Sequence, residues 1–116
     1  MRVFLLCWLL SGAAAWAEPP AGVWEETETY GAALRGSWNF SPATRTFQAR
    51  WDNGSNALLR LEQYDDRHIV ITRADSNGLN ARYEGVRGPQ GYTGQVTWTW
   101  LDQARRGTWS VQFPSP

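Results

Sequence analysis

The sequence has 116 residues with eleven basic and eleven acidic side chains, so its formal net charge is zero. The basic residues are all arginine. Balanced charge removes the basic face on which nucleic-acid binding rests. A hydrophobic share of 42% with 14% aromatics is too apolar for a solvated, disordered tail. The length allows one domain at most.

The chain starts with Met1-Arg2, a short positive segment, followed by the unbroken apolar run Val3 to Leu10 and by Ser11-Gly12-Ala13-Ala14-Ala15-Trp16-Ala17. Charge, apolar run and an Ala-x-Ala site in that order are the layout of a secretory signal peptide, expected over residues 1–17 with cleavage after Ala17. The run is far shorter than the ~20 apolar residues of a membrane-spanning helix. Cys7 is the one cysteine, and Leu6 precedes it where a lipoprotein acylation site needs a small residue. The remaining chain of about 100 residues would have no disulfide and would rely on its core alone. It is expected to be exported, periplasmic or secreted, with no membrane segment after cleavage.

Residues 18–35 read as an N-terminal arm or a first strand. Pro19-Pro20 disfavours helix and sheet alike, and Val23 to Tyr30 is open between a strand and a short helical turn. From Gly36 the period is two. Trp38 and Phe40 alternate with polar residues, then Phe47, Ala49 and Trp51, then Ala57, Leu59 and Leu61. Ile69-Val70-Ile71-Thr72 is a β-branched run. Leu79, Ala81 and Tyr83 follow, then Val96, Trp98 and Trp100, then Trp109, Val111 and Phe113. Turn signals separate them: Ser41-Pro42-Ala43-Thr44, Asp52-Asn53-Gly54-Ser55, Tyr64-Asp65-Asp66-Arg67, Asp75-Ser76-Asn77-Gly78, the glycine-rich 85–91 and Leu101 to Arg106. Asn53-Gly54 suits a type I′ hairpin turn.

Short strands at even spacing without helical period predict an all-β fold over 36–113, with residues 114–116 as a tail. Hairpin-length links make it an antiparallel meander. Closure into a barrel of seven or eight strands removes the edges, and a β-sandwich is the alternative. The apolar alternants would face inward. Gln48, Arg50, Arg60, Glu62, Arg82, Glu84, Thr97, Thr99 and Thr108 would face out.

Catalytic chemistry is not visible. His68 is the one histidine and flanks a turn, and no Gly-x-Ser-x-Gly elbow accompanies it. Asp65-Asp66 and the Glu25, Glu26, Glu28 cluster read as solvated rather than as facing carboxyls across a cleft. Asp75 to Gly78 has part of a calcium loop, but Arg73 takes a ligand position, so a hairpin turn explains it. Zinc lacks ligands and phosphate loops are absent. No catalytic residue, metal site or cofactor is expected, and the chain is expected not to be an enzyme.

The tryptophans Trp24, Trp38, Trp51, Trp98, Trp100 and Trp109 are the outstanding feature. An eight-stranded barrel is just wide enough to be filled by side chains or to hold one small ligand. Trp38, Trp51, Tyr83, Trp98, Trp100 and Trp109 are therefore the candidate ligand-binding residues, with Ala49, Ala57 and Ala81 leaving space beside the rings. The expected function is binding of a small apolar or aromatic molecule. The alternatives are a protein-interaction or inhibitor domain acting through the N-terminal arm or loops, and a filled structural barrel with no ligand.

The strings Gly36-Ser37-Trp38-Asn39-Phe40, Phe47-x-Ala49-x-Trp51-x-Asn53-Gly54, Gln95-Val96-Thr97-Trp98-Thr99-Trp100 and Gly107-Thr108-Trp109 resemble a β-meander module of exported bacterial proteins to which no activity is assigned. The layout is also similar to avidin-like and lipocalin-like barrels, which often open with a Gly-x-Trp strand. That resemblance implies a small closed barrel and carries no ligand or site with it.

Overall fold

The computed structural model describes residues 19–114. The expected signal peptide, 1–17, lies outside the described residues, as do 115–116 of the expected tail. Eight strands follow in order: β1 Gly22–Tyr30, β2 Ala32–Ser41, β3 Thr46–Trp51, β4 Asn56–Tyr64, β5 His68–Ala74, β6 Asn80–Arg87, β7 Gly91–Trp100 and β8 Gln103–Gln112. Each pairs antiparallel with the next, and β8 returns to β1, so the meander closes into an eight-stranded barrel. The undecided segment Val23 to Tyr30 is strand, and it is the strand that closes the ring.

Period two drives the burial. Trp38 and Phe40 of β2, Phe47, Ala49 and Trp51 of β3, and Leu59 and Leu61 of β4 are buried, with exposed neighbours between them. The inward positions continue through Ile69 and Ile71, where Val70 between them is buried as well, then Ala81 and Tyr83, Val96, Trp109 and Val111. Outside lie polar side chains such as Arg50, Arg60, Arg82 and Glu84. Apolar-in and polar-out is the reverse of a lipid-spanning barrel. No helix among the described residues is long and apolar enough to cross a membrane. In β4 the register slips between Leu61 and Gln63, and this irregularity brings Tyr64 opposite Ile69 and against the core.

One end of the barrel is plugged. Trp24 donates its Nε1–H to the Pro20 carbonyl at 2.8 Å. Its ring meets Phe47 edge-on at 4.9 Å and Phe113 at 5.3 Å. Arg87 sits 4.8 Å over Phe113. Tyr92, which the alternation does not single out, is buried beside them and stacks on Trp24 at 6.3 Å.

At the other end β7 and β8 outrun the ring. Their pairing continues to Trp100 and Gln103, whereas β1 pairs with β8 only from Gln112 back to Thr108. Trp100 is on the inward register but beyond the wall, so it is 52% exposed rather than buried as its alternation predicts. Its Nε1–H reaches the Asn77 carbonyl of the β5–β6 turn at 3.3 Å.

The turns differ from expectation in one instructive way. At Asn53-Gly54 only the glycine takes positive φ, 89°. Gly54 N–H donates to the Trp51 carbonyl, and Asn53 Oδ1 accepts from the Ser55 N–H, so the asparagine side chain builds the turn without itself taking left-handed backbone. Asp75 to Gly78 repeats this design, with Gly78 at 95° and Asn77 Oδ1 accepting from the Leu79 N–H. The two-residue turn with both φ positive is Leu101-Asp102, at 51° and 65°. Side chains there crowd the left-handed region at about 1–2 kcal/mol per residue. Replacing Leu101→Asn together with Asp102→Gly should therefore stabilise the barrel by about 1 kcal/mol, read as a higher urea midpoint. An unchanged or lower midpoint would show that the Leu101 and Asp102 side chains contribute as much as the backbone strain costs.

Candidate functional site

Trp24 sets the inward register of β1, so Glu26 and Glu28 also point into the lumen. They are 1% and 5% exposed. Their hydrogen-bond donors are neutral. Trp51 Nε1–H donates to Glu26 Oε1 at 2.9 Å, and the Tyr83 hydroxyl donates to Glu28 Oε1 at 3.1 Å from across the barrel. Two buried carboxylates cannot both stay charged at this proximity. Burial first, then hydrogen bonding to Glu28 and its negative charge, push the Glu26 carboxyl up to about 10, with the Trp51 indole pulling the other way. At neutral pH Glu26 holds a proton. Its Oε2 has no donor of its own among the described residues. A proton on that oxygen, turned to Glu28, satisfies it and leaves the two acids with one negative charge between them.

The neighbours follow from that charge. Burial, then the charges of Glu28 and Glu26, hold the Tyr83 phenol well above its ordinary value, so it stays a donor. Arg73 is on the inward register of β5. Burial opposes its charge, but the hydrogen bonds and charge of Asp75, with a further contribution from Tyr83, more than offset this. Its Nη2 and Nε grip Asp75 at 2.8–3.2 Å, and the guanidinium lies 4.9 Å over the Trp51 ring.

Gly36 makes the Trp51–Glu26 bond possible. It stands between the two residues in the sheet, opposite Glu26 on β1 and Trp51 on β3. A Cβ on Gly36 would come within 2.6 Å of Trp51 Cδ1. With no side chain there, the indole crosses β2 to reach the acid. Gly107 does the same for Trp98, whose Cη2 would lie 2.8 Å from its Cβ.

Beyond the acids the barrel opens into a depression of about 370 Å³. Leu34, Leu79, Tyr30 and Trp98 give it apolar walls, and Glu28, Arg73, Asn53 and Arg105 are its polar lining. Trp98 meets Tyr30 edge-on at 6.1 Å, and Arg105 lies 5.7 Å over the Tyr30 ring.

Of the six candidate residues, Trp38, Trp51, Tyr83 and Trp109 come together. Trp38 lies 6.4 Å from Trp51, 5.0 Å from Tyr83 and 5.6 Å from Trp109, stacked on the last. These rings pack on one another rather than around a space. Ala49 and Ala81 are buried among the same core residues, and Ala57 packs against them. Trp98 is separate and lines the mouth; Trp100 is outside it. His68 lies exposed at the start of β5, 3.8 Å from Asp65. Backbone N–H groups of Arg67 and His68 bond the Asp65 carboxylate and lower its pKa, which makes it a turn cap.

Sequence reading misses Glu26 and Glu28 as interior groups, because Glu25-Glu26-Thr27-Glu28 looks solvated. The signal was present: Trp24, Glu26 and Glu28 share one parity. No family model, no curated protein and no solved structure matches the chain.

The buried proton has a measurable consequence. Glu26 binds it up to about pH 10 in the fold but only to about 4.5 when unfolded. Its contribution is thus fully present below 4.5 and declines as pH rises toward 10, by up to ~1.4 kcal/mol per pH unit. Urea unfolding across that window should show this slope, and Glu26→Gln should flatten it. A flat wild-type profile would contradict a proton held on Glu26.

Proposed function

We propose that this is an exported, non-enzymatic binding barrel that takes a small apolar or aromatic molecule at its open mouth. One observation carries the reading: the lumen is occupied by the protein's own rings, while the end beyond Glu28 offers a depression with Trp98, Leu34 and Leu79 as walls. A pocket with apolar walls and few convergent polar groups is the usual form of a small-molecule site. The layout of residues 1–17 supports export, and the resemblance to small exported barrels agrees with it. The candidate ligand residues thereby divide into Trp98, which would touch the ligand, and Trp38, Trp51, Tyr83 and Trp109, which would hold the floor rigid.

A second reading has its own observation. Trp100 and Leu101, 52% and 77% exposed at the projecting β7–β8 tip, form an apolar point that a protein partner could cover. Titration with phenol and with cyclohexanol separates the two. Tryptophan emission should change at millimolar ligand, and Trp98→Phe should remove most of the change. No change with either compound, or an undiminished one in Trp98→Phe, would dismiss the mouth and favour the projecting tip.

A further inference from the structure

We infer that the mouth selects a small organic cation, an ammonium group on an aromatic or aliphatic body, seated with its charge at Glu28 and its body against Trp98, Leu34 and Leu79. This inference rests on the binding role proposed for the mouth and adds the chemistry of its ligand.

The charges around the depression decide the sign. Arg73 is committed: three hydrogen bonds join it to Asp75, and its guanidinium covers the Trp51 ring. Arg105 stands at the rim on an exposed stretch of β8, over Tyr30, where water and salt screen it. Glu28 is different. It is 5% exposed, lines the depression and has the neutral Tyr83 hydroxyl as its donor. Beside it Glu26 Oε2 is wholly buried and has no donor from another residue among those described. The floor therefore holds a negative charge, shared by two acids; Arg73 interacts with the Tyr83 hydroxyl, and among the described residues no ion pair joins a cation to either acid. Interior charges are ordinarily paired, and an ammonium group arriving from the mouth supplies the missing partner through charge-assisted hydrogen bonds. The Trp98 ring at the entrance also favours a cation over an anion, as the Tyr30 ring does in holding Arg105.

The test compares three ligands of one shape: phenethylammonium, phenylethanol and phenylpropionate, titrated at neutral pH and followed by the amide and indole NMR signals of Leu79, Glu28 and Trp98. Phenethylammonium should bind about tenfold or more tightly than either other compound. Glu28→Gln, which keeps the shape and the acceptor for Tyr83, should reduce that preference to near unity while phenylethanol still binds. Equal affinities, or a preference for phenylpropionate, would overturn the cation inference and leave the mouth as a binding site. Binding of none of the three would remove the mouth reading itself. A preference that survives Glu28→Gln would also overturn the inference. If that variant does not fold, the wild-type ranking of the three ligands decides alone.

Discussion

The rest of the interior is arranged around one buried proton, the one that Glu26 holds against Glu28. Two carboxyls one strand period apart enter a lumen otherwise filled with rings, and burial alone would expel them if both were charged. A single proton removes one of the two charges and with it their mutual repulsion. Trp51 and Tyr83 lower the remaining cost by donating from opposite walls of the barrel. Each donor then requires its own accommodation. Trp51 needs Gly36 beneath it, and Tyr83 must remain protonated. The packing is not perfect, since Trp38 Nε1 is buried with no acceptor among the described residues, a cost of about 1–3 kcal/mol for an unpaired donor. Stacking on Trp109 and the edge contact with Tyr83 offset part of that cost.

Closure of the meander makes the two ends unequal. At one end Trp24, Tyr92 and Phe113 seal the lumen beneath Pro20. At the other, β7 and β8 run past β1, and the wall stops before the hairpin does. The acids lie just below that uneven rim. A charge placed there acts in a lower dielectric than one in water, and Glu28 lines the opening. The same overrun explains why Trp98 lines the mouth while Trp100, two residues on, stands outside.

Much of this was legible in the residues. Alternation around Trp38, Phe47, Leu59, Ile71, Tyr83, Val96 and Trp109 gives the inward face directly, because a strand's side chains can only alternate. Where strands outrun their neighbours, alternation predicts direction but not burial, which is why Trp100 reads as core and is not. Turn chemistry misled in a related way. Asn53-Gly54 has the composition of a type I′ turn, yet the asparagine side chain caps the loop, and the left-handed pair falls on Leu101-Asp102, where a turn is expected but neither an asparagine nor a glycine marks the pair. The acid pair was hidden by composition. Glutamates in a run suggest water, and only the parity set by Trp24 says otherwise.

Infrared spectroscopy of the folded protein at neutral pH tests the central claim most directly. A protonated carboxylic acid in a dry interior has a C=O stretch well separated from the carboxylate bands. The account predicts one such band in the wild-type protein and its loss in Glu26→Gln. A spectrum with carboxylate bands alone, in a protein whose barrel is intact by circular dichroism, would contradict it.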